Sequence, residues 1–366
     1  MSTQNDSNPE RLISFQEAIK EGLSESIEKN PDVFLMGEGI DDPSSFWGTT
    51  AGIAQRFGRD SVLEMPVAEN GLVGVAIGAA MAGLRPVMNF QRVEFALLAV
   101  EQIFNNAAKA HYVSNGLHRV PLVIRLVIGR GWGQGPGHSQ ALESVFAHIP
   151  GLKVIMPTFG SDAKGMLITA IEDDSPVIII EHRWLYSLKD HVPAGYFKTP
   201  LDGPRVIRKG KDATIVATSY NVLEAIRAAD VLKDVGCDVE IVDMRVLNPL
   251  NYDPIIESVS RTGRLITVDT GWTAYGVGGE VIAEITSRCF SSLKAATVRL
   301  GMSPHPTPSS RGLIPGFYPD AASIVDAVVR TVGLDETVTQ KLSAQLIEER
   351  EELPIDVPDP FFKGPF

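Results

Sequence analysis

Cysteine is nearly absent: the 366 residues contain two, Cys237 and Cys289. They form no CxxC pair and show no metal-ligand spacing, which argues against a disulfide framework or a structural zinc site and fits a reducing compartment. Long apolar runs are missing too. The longest, around 71–83, is too short and too rich in glycine for a membrane span. The opening Met1-Ser2-Thr3-Gln4-Asn5-Asp6 lacks the cationic-then-apolar pattern of a secretory signal. Positive charge is in deficit, with 33 Lys and Arg against 45 Asp and Glu and a net charge of −12. Such a surface repels nucleic acid and anionic lipid, so neither is an expected partner. The expectation is a soluble cytoplasmic enzyme or enzyme subunit.

Familiar catalytic signatures are missing as well. There is no G-x-S-x-G elbow, no H-E-x-x-H, no G-x-x-x-x-G-K-[ST] and no kinase signature. Nor does a Gly-Asp-Gly with a downstream Asn occur, the pattern that holds a magnesium diphosphate.

What remains is ordinary globular composition, 44% hydrophobic and 21% charged, over a length that suits two domains. Short apolar runs alternate with helical segments. Val33–Met36, Val62–Met65, Arg85–Phe90, Val120–Ile128, Lys153–Met156 and Pro176–Glu181 read as buried parallel strands. Between them, Ser14 and Glu17 form a capping box for a helix to about residue 29. The segment 71–83 reads as a helix apolar on every side, hence buried. A further helix is expected near Phe95–Val113, and another opened by Ser161 or Asp162. The alternation lapses between Asp190 and Gly210 and resumes at Ala213–Ala217. The expected organisation is a disordered 1–10, an α/β domain over 11–195, a linker over 196–210, a second α/β domain over 211–333 and a tail over 334–366. The tail carries Phe361, Phe362 and Phe366, so it reads either as a frayed end or as a segment that docks on a partner.

Gly129-Arg-Gly-Trp-Gly-Gln-Gly-Pro-Gly137 has strictly alternating glycines and no G-x-G-x-x-G register, which argues against a dinucleotide site. His138, closing that loop at a strand-to-helix junction, stands where open α/β sheets bind ligands; a structural histidine is the alternative. His111 and His118 read as surface residues and His148 as a helix-end cap. Glu69 stands out, lying between a strand and the apolar helix. A carboxyl in a dry cleft there would suit proton exchange with a nitrogen heterocycle; a solvated helix-start acid is the alternative. Glu38, in Gly37-Glu-Gly39, is a second candidate of the same kind, with a simple loop acid as the alternative. One acid and one histidine look like half an active site.

Several segments taken in order resemble a known family. They are Met36-Gly-Glu-Gly39, Pro66-Val-Ala-Glu-Asn-Gly-Leu-Val-Gly74, Ala80-Met-Ala-Gly-Leu-Arg-Pro86, Gly137-His-Ser-Gln140 and Pro150-Gly-Leu-Lys-Val-Ile-Met-Pro157. Asp243-Met-Arg-Val-Leu-Asn-Pro249 and Gly276-Val-Gly-Gly-Glu280 continue the series. Over about 11–333 the chain resembles the β subunit of the E1 component of 2-oxo acid dehydrogenase complexes, a thiamine-diphosphate enzyme. The resemblance implies two parallel-sheet domains, a pyrimidine-binding domain followed by a transketolase C-terminal-like domain. It implies an E1 α subunit in an α2β2 heterotetramer, carrying the magnesium and diphosphate site. The implied activity is decarboxylation of a 2-oxo acid and transfer of the acyl group to a lipoyl domain of the E2 core. Glu69 matches the glutamate that hydrogen-bonds N1′ of the aminopyrimidine, Phe95 an aromatic that packs on that ring, and His138 a histidine of proton and acyl transfer. A potassium site is implied at Leu122, Ala170, Ile171, Asp173 and Ser175, although Ser175 departs from the frequent Asn.

Gln91-Arg-Val-Glu94 also departs from the family, replacing a neutral stretch beside the substrate pocket; Arg92 is either a solvated edge residue or a holder of an anionic substrate group. Two other functions stay open: a thiamine carboligase or split transketolase, and a subunit that only scaffolds its partner.

Overall fold

Val123–Ile128 and Val177–His182 are buried along their whole length and lie side by side in parallel. Runs with no polar face form the centre of a sheet covered on both sides. The computed structural model describes residues 11–45, 47–130, 133–350, 353–358, 360 and 362. In spatial order the larger sheet holds Val246–Asn248, Lys153–Ile155, Val177–His182, Val123–Ile128, Arg85–Phe90, Val33–Gly37 and Val62–Glu64. All neighbours run parallel except Val246–Asn248, which is antiparallel to Lys153–Ile155. The smaller sheet holds Val298–Met302, Leu265–Trp272, Ala213–Ala217, Val239–Asp243 and the antiparallel edge strand Arg205–Arg208. This α/β architecture of two parallel-rich sheets is the one the sequence implies.

The two sheets are coupled through the motif at 243–249. Arg245 is buried and donates to Asp162 of the first domain at 2.9 Å and to the Gly203 carbonyl at 3.1 Å. The next residues form the strand that completes the first sheet. Thr270 donates to the buried Glu143 carboxylate at 2.7 Å, a second polar bond between the domains.

Four local expectations need correction. The span 196–210 is more than a linker, because Arg205–Arg208 is an edge strand; its charged ends hide the strand pattern. Phe95–Val113 is not one helix but a 3₁₀ turn at Phe95–Ala99, a π-helical stretch at Gln102–Ala107 and an α-helical turn at Ala110–Val113. The helix at Gly160–Glu172 is not capped by Ser161 or Asp162; Ser161 bonds Asp190 and Asp162 bonds Arg245 instead. The small-residue helix, Glu69–Met81, buries Glu69, Val73, Ala76, Ile77 and Ala80 but leaves Gly71, Val75, Gly78 and Met81 exposed. Nothing lies within 4 Å of a side chain built at Gly71 or Gly78, so that face is uncovered in the single chain.

The expected boundary cap holds. Ser14 and Glu17 form a reciprocal capping box on Phe15–Lys29. Beyond Gly333, the helix Glu336–Glu348 tucks Leu342 and Leu346 into the core of the second domain. Residues 1–10, Phe361 and Phe366 lie outside the described residues. No helix among the described residues is long and apolar enough to cross a membrane.

Candidate active site

The carboxyl ends of the parallel strands bring the sequence candidates to one edge. Val33–Gly37 leads into Glu38, Val62–Glu64 into Glu69, Arg85–Phe90 into Arg92 and Phe95, and Val123–Ile128 into the loop ending at His138. Ligand crevices form at such edges. Gly37 is required there, since a Cβ would stand 2.7 Å from the Asn89 carbonyl of the neighbouring strand.

Glu64 holds the turn after that strand, its carboxylate accepting from Gly39 N at 2.8 Å and Ile40 N at 2.9 Å. Gln91 donates to the Glu38 carbonyl at 3.0 Å, and Trp47 Nε1 to the Gln91 carbonyl at 3.3 Å. The Glu38 carboxyl has a buried Oε1 with no hydrogen-bond partner. Burial, then the charges of Glu69 and Glu64, pushes its pKa above the usual carboxylate range. Glu69 itself is 5% exposed in the first turn of its helix. Two carboxyls thus stand at one edge, Glu69 buried and Glu38 half-buried with a buried oxygen that has no hydrogen-bond partner, a feature found at functional sites.

Phe95 and His138 meet edge-on with ring centroids 5.7 Å apart. Glu94 accepts from Gln140 N at 2.7 Å, clamping the histidine loop to the segment that carries Phe95. Burial raises the Glu94 pKa, opposed by that bond and by Arg92 and His138. On the other side the loop rests on the second domain. Gly135 has φ +57, and a Cβ there would stand 2.1 Å from Ser309 Oγ; Thr307 donates to the Ser139 carbonyl. Only glycine satisfies both demands. His138 is exposed at the mouth of this arrangement, whereas His148 caps the short helix Glu143–Ala147.

Arg92 is 4% exposed, so a solvated edge residue is ruled out. Its Nη2 donates to Gln134 Oε1 at 2.5 Å. Sequence reasoning missed the residues around it. Arg183 donates to the same Gln134 oxygen at 2.6 Å, and His182 stacks on Tyr220 with ring centroids 5.3 Å apart. Burial, with Arg130 and Arg183 nearby, pushes the His182 pKa well down. Its place at the end of a buried strand was the only sequence signal available.

The implied potassium ligands meet a different cation. Arg85 Nη1 donates to the Ile171 carbonyl at 2.9 Å and the Asp173 carbonyl at 3.0 Å, and Nη2 to Asp174 at 2.8 Å. Lys153 also pairs with the Asp173 carboxylate. Of the remaining groups, the Leu122 carbonyl accepts from Val177 N and the Ala170 carbonyl from Asp173 N. A guanidinium thus takes two of the five carbonyls assigned to the ion, those of Ile171 and Asp173, and these two do not fit potassium as arranged. Among the described residues, no group of three or more His, Cys, Asp or Glu could hold a metal ion.

Residues 11–189 match the model of the transketolase pyrimidine binding domain, and 204–324 that of the transketolase C-terminal domain. The pyruvate dehydrogenase E1 component subunit beta of Rhizobium meliloti (strain 1021) is 39% identical over 317 residues, covering 86% of this chain and 69% of the relative. The acetoin:2,6-dichlorophenolindophenol oxidoreductase subunit beta of Cupriavidus necator is 38% identical over 333 residues, covering 88% and 98%. The mitochondrial pyruvate dehydrogenase E1 subunit beta of Bos taurus is 34% identical, covering 88% and 91%. A split-gene transketolase, solved as an inactive β4 tetramer, superposes with a TM-score of 0.70 at 23% identity, over 88% of this chain and 99% of that one. That last likeness bears on the fold alone. The chain belongs to the transketolase-like family of E1-component β subunits.

Proposed function

We propose that this chain is the β subunit of a thiamine-diphosphate-dependent 2-oxo acid dehydrogenase E1, acting with an α chain in an α2β2 assembly. The observation that carries the reading is the pair of carboxyls Glu38 and Glu69 at the strand ends, close enough for one charge to act on the other and left with a buried oxygen unsatisfied. An aminopyrimidine, which offers both a ring nitrogen and an amino group, fits that donor and acceptor set. Thiamine diphosphate, when bound, supplies the electron sink for decarboxylation. The chain's own residues do the rest. Glu69 exchanges a proton with the ring nitrogen, and Glu38 keeps that proton in a shared low-dielectric edge. Phe95 offers the ring an apolar face, and His138 moves a proton at the acceptor that takes the acyl group.

The diphosphate and its magnesium are assigned to the α chain. The uncovered face of the Glu69–Met81 helix supports a partner, because Val67, Val75, Met81, Leu97 and Leu98 are exposed together in the single chain. A lipoyl domain of an E2 core is the proposed acyl acceptor, and the cytoplasm the proposed location. A second reading rests on the acetoin-oxidoreductase relative, which aligns over 98% of its length: cleavage of a 2-hydroxy ketone with the same carboxyl and histidine roles. The test is co-expression with an α chain and assay of a 2-oxo acid panel and acetoin with an artificial oxidant. Turnover of a 2-oxo acid supports the first reading and turnover of acetoin alone the second. Copurification with no turnover would leave a scaffold.

A further inference from the structure

His138 is exposed, yet the chain on either side of it is gripped by one short stretch. Four residues before it, Gln134 Oε1 accepts from Arg92 Nη2 at 2.5 Å. Two residues after it, Gln140 donates its backbone N–H to Glu94 Oε1 at 2.7 Å. The two gripping residues are separated by Val93 alone, so a single anchor serves both ends of the histidine segment.

That anchor is firmly set. Val93 is fully buried and donates its N–H to the Val127 carbonyl of the neighbouring strand segment at 2.9 Å. The chain then enters the 3₁₀ turn Phe95–Ala99, with Phe95 N on the Arg92 carbonyl at 3.3 Å and Ala96 N on that of Val93 at 3.2 Å. Arg92 is 4% exposed and packs over Trp47, 4.9 Å from the ring centroid. From the opposite side the second domain supplies a backstop. Cβ atoms at Gly133 and Gly135 would stand 3.0 Å from the Ser309 carbonyl oxygen and 2.1 Å from Ser309 Oγ, and Thr307 donates to the Ser139 carbonyl at 3.4 Å. A carboxylate accepting from a backbone N–H in a half-buried place makes the stronger kind of hydrogen bond. Of the two grips, Glu94 acts closer in sequence to His138.

We infer that Arg92 and Glu94 are positioning residues for His138, holding its segment at Gln134 and Gln140 so that the imidazole is presented beside Phe95. Glu94 thereby governs transfer of the acyl group more than decarboxylation. The clamp stands on the geometry; its effect on transfer rests on the thiamine-enzyme reading and on the proton role proposed for His138.

Glu94→Gln keeps an acceptor oxygen of the same reach, whereas Glu94→Met keeps the size and removes the acceptor. Hydrogen exchange of the full chain, resolved at the Gln140 amide, reads the clamp without turnover. Protection of that amide should fall by at least roughly tenfold in Glu94→Met, the size expected of a charged hydrogen bond, and by much less in Glu94→Gln. The Val93 amide in the same chain should stay protected, which separates release of the loop from general unfolding. Where Glu94→Met does not fold, Glu94→Asp, one methylene short of Gln140, takes its place with the same expected losses. In the complex with an α chain, the ratio of lipoyl acylation to decarboxylation should fall by at least roughly fivefold in Glu94→Met, below the full contribution of one acid–base group. Glu94→Gln should recover most of it. In a His138→Ala background, Glu94→Met should change the ratio no further, a result that mere loosening of the fold would not give. Unchanged Gln140 protection in Glu94→Met, an equal loss in Glu94→Gln, or a further fall of the ratio in the His138→Ala background overturns the proposal. Loss of Gln140 protection in a chain whose α/β complex turns over no 2-oxo acid would keep the clamp and reject the dehydrogenase reading. Turnover of a 2-oxo acid with Gln140 protection unaltered in Glu94→Met would do the reverse.

Discussion

The rings of Phe95 and His138 meet edge to face, on two segments that Glu94 ties together through the Gln140 amide. An exposed imidazole at that position can move a proton at an acyl acceptor, while decarboxylation leans on the cofactor. His138→Ala is therefore expected to slow lipoyl acylation by at least roughly tenfold relative to decarboxylation followed with an artificial oxidant. An equal fall in both assays would make His138 a positioning residue.

Glu69→Gln keeps the side-chain volume and removes the proposed proton exchanger. In the α/β complex, exchange of the C2 proton of bound thiamine diphosphate should fall by about 10²–10⁴-fold, the usual contribution of one acid–base group. Glu38→Gln should fall by less. Near-normal exchange in Glu69→Gln would mean that the wrong carboxyl has been chosen.

Arg85 places its guanidinium on the Ile171 and Asp173 carbonyls and on Asp174. Thermal stability should then be the same in potassium, sodium and choline chloride. Arg85→Ala should cost about 1–3 kcal/mol through the lost charge-assisted bonds. Potassium-specific stabilisation of the wild-type chain would contradict this assignment.

Asp269 is buried beside Glu143, and burial pushes its carboxyl up to about 7. A folded-state pKa above the ordinary value of about 4 means that the native state binds the proton more tightly than the unfolded one. Stability is then greatest below pH 4 as far as this group is concerned, and falls between about 4 and 7 by up to roughly 1.4 kcal/mol per pH unit. Asp269→Asn, which can still accept from Gly278 N, should be more stable than wild type at pH 8, with the advantage shrinking toward pH 4. Denaturant unfolding at the two pH values measures it. An advantage independent of pH would show that the carboxyl does not titrate in this window.

Much of the fold was legible because burial leaves a pattern. Arg85–Phe90 and Ala213–Ala217 are strands over the residues read from their apolar runs, and Ser14 caps the helix its box announced. The segment after Phe95 was misread because one apolar spacing serves α, 3₁₀ and π turns alike, and the hydrogen-bond offset is decided by packing. Glu38, Glu69 and His138 could be named from their places at strand ends, and Phe95 from the resemblance alone. The burial of Arg183 could not be read, since nothing local distinguishes a buried arginine from a solvated one. The potassium ligands were carried over residue by residue from the resemblance, and no carry-over reveals that Arg85 reaches their carbonyls.

Mass spectrometry of a lipoyl domain gives the most direct test of the central claim. The domain is incubated with the 2-oxo acid selected by the substrate panel, thiamine diphosphate, magnesium and either this chain, the α chain or both. The account predicts that the acyl mass appears on the lipoyl lysine only when both chains are present, and disappears in Glu69→Gln. An unmodified lipoyl domain under conditions in which the two chains consume the 2-oxo acid, with the carbon recovered in a condensation product, would contradict it.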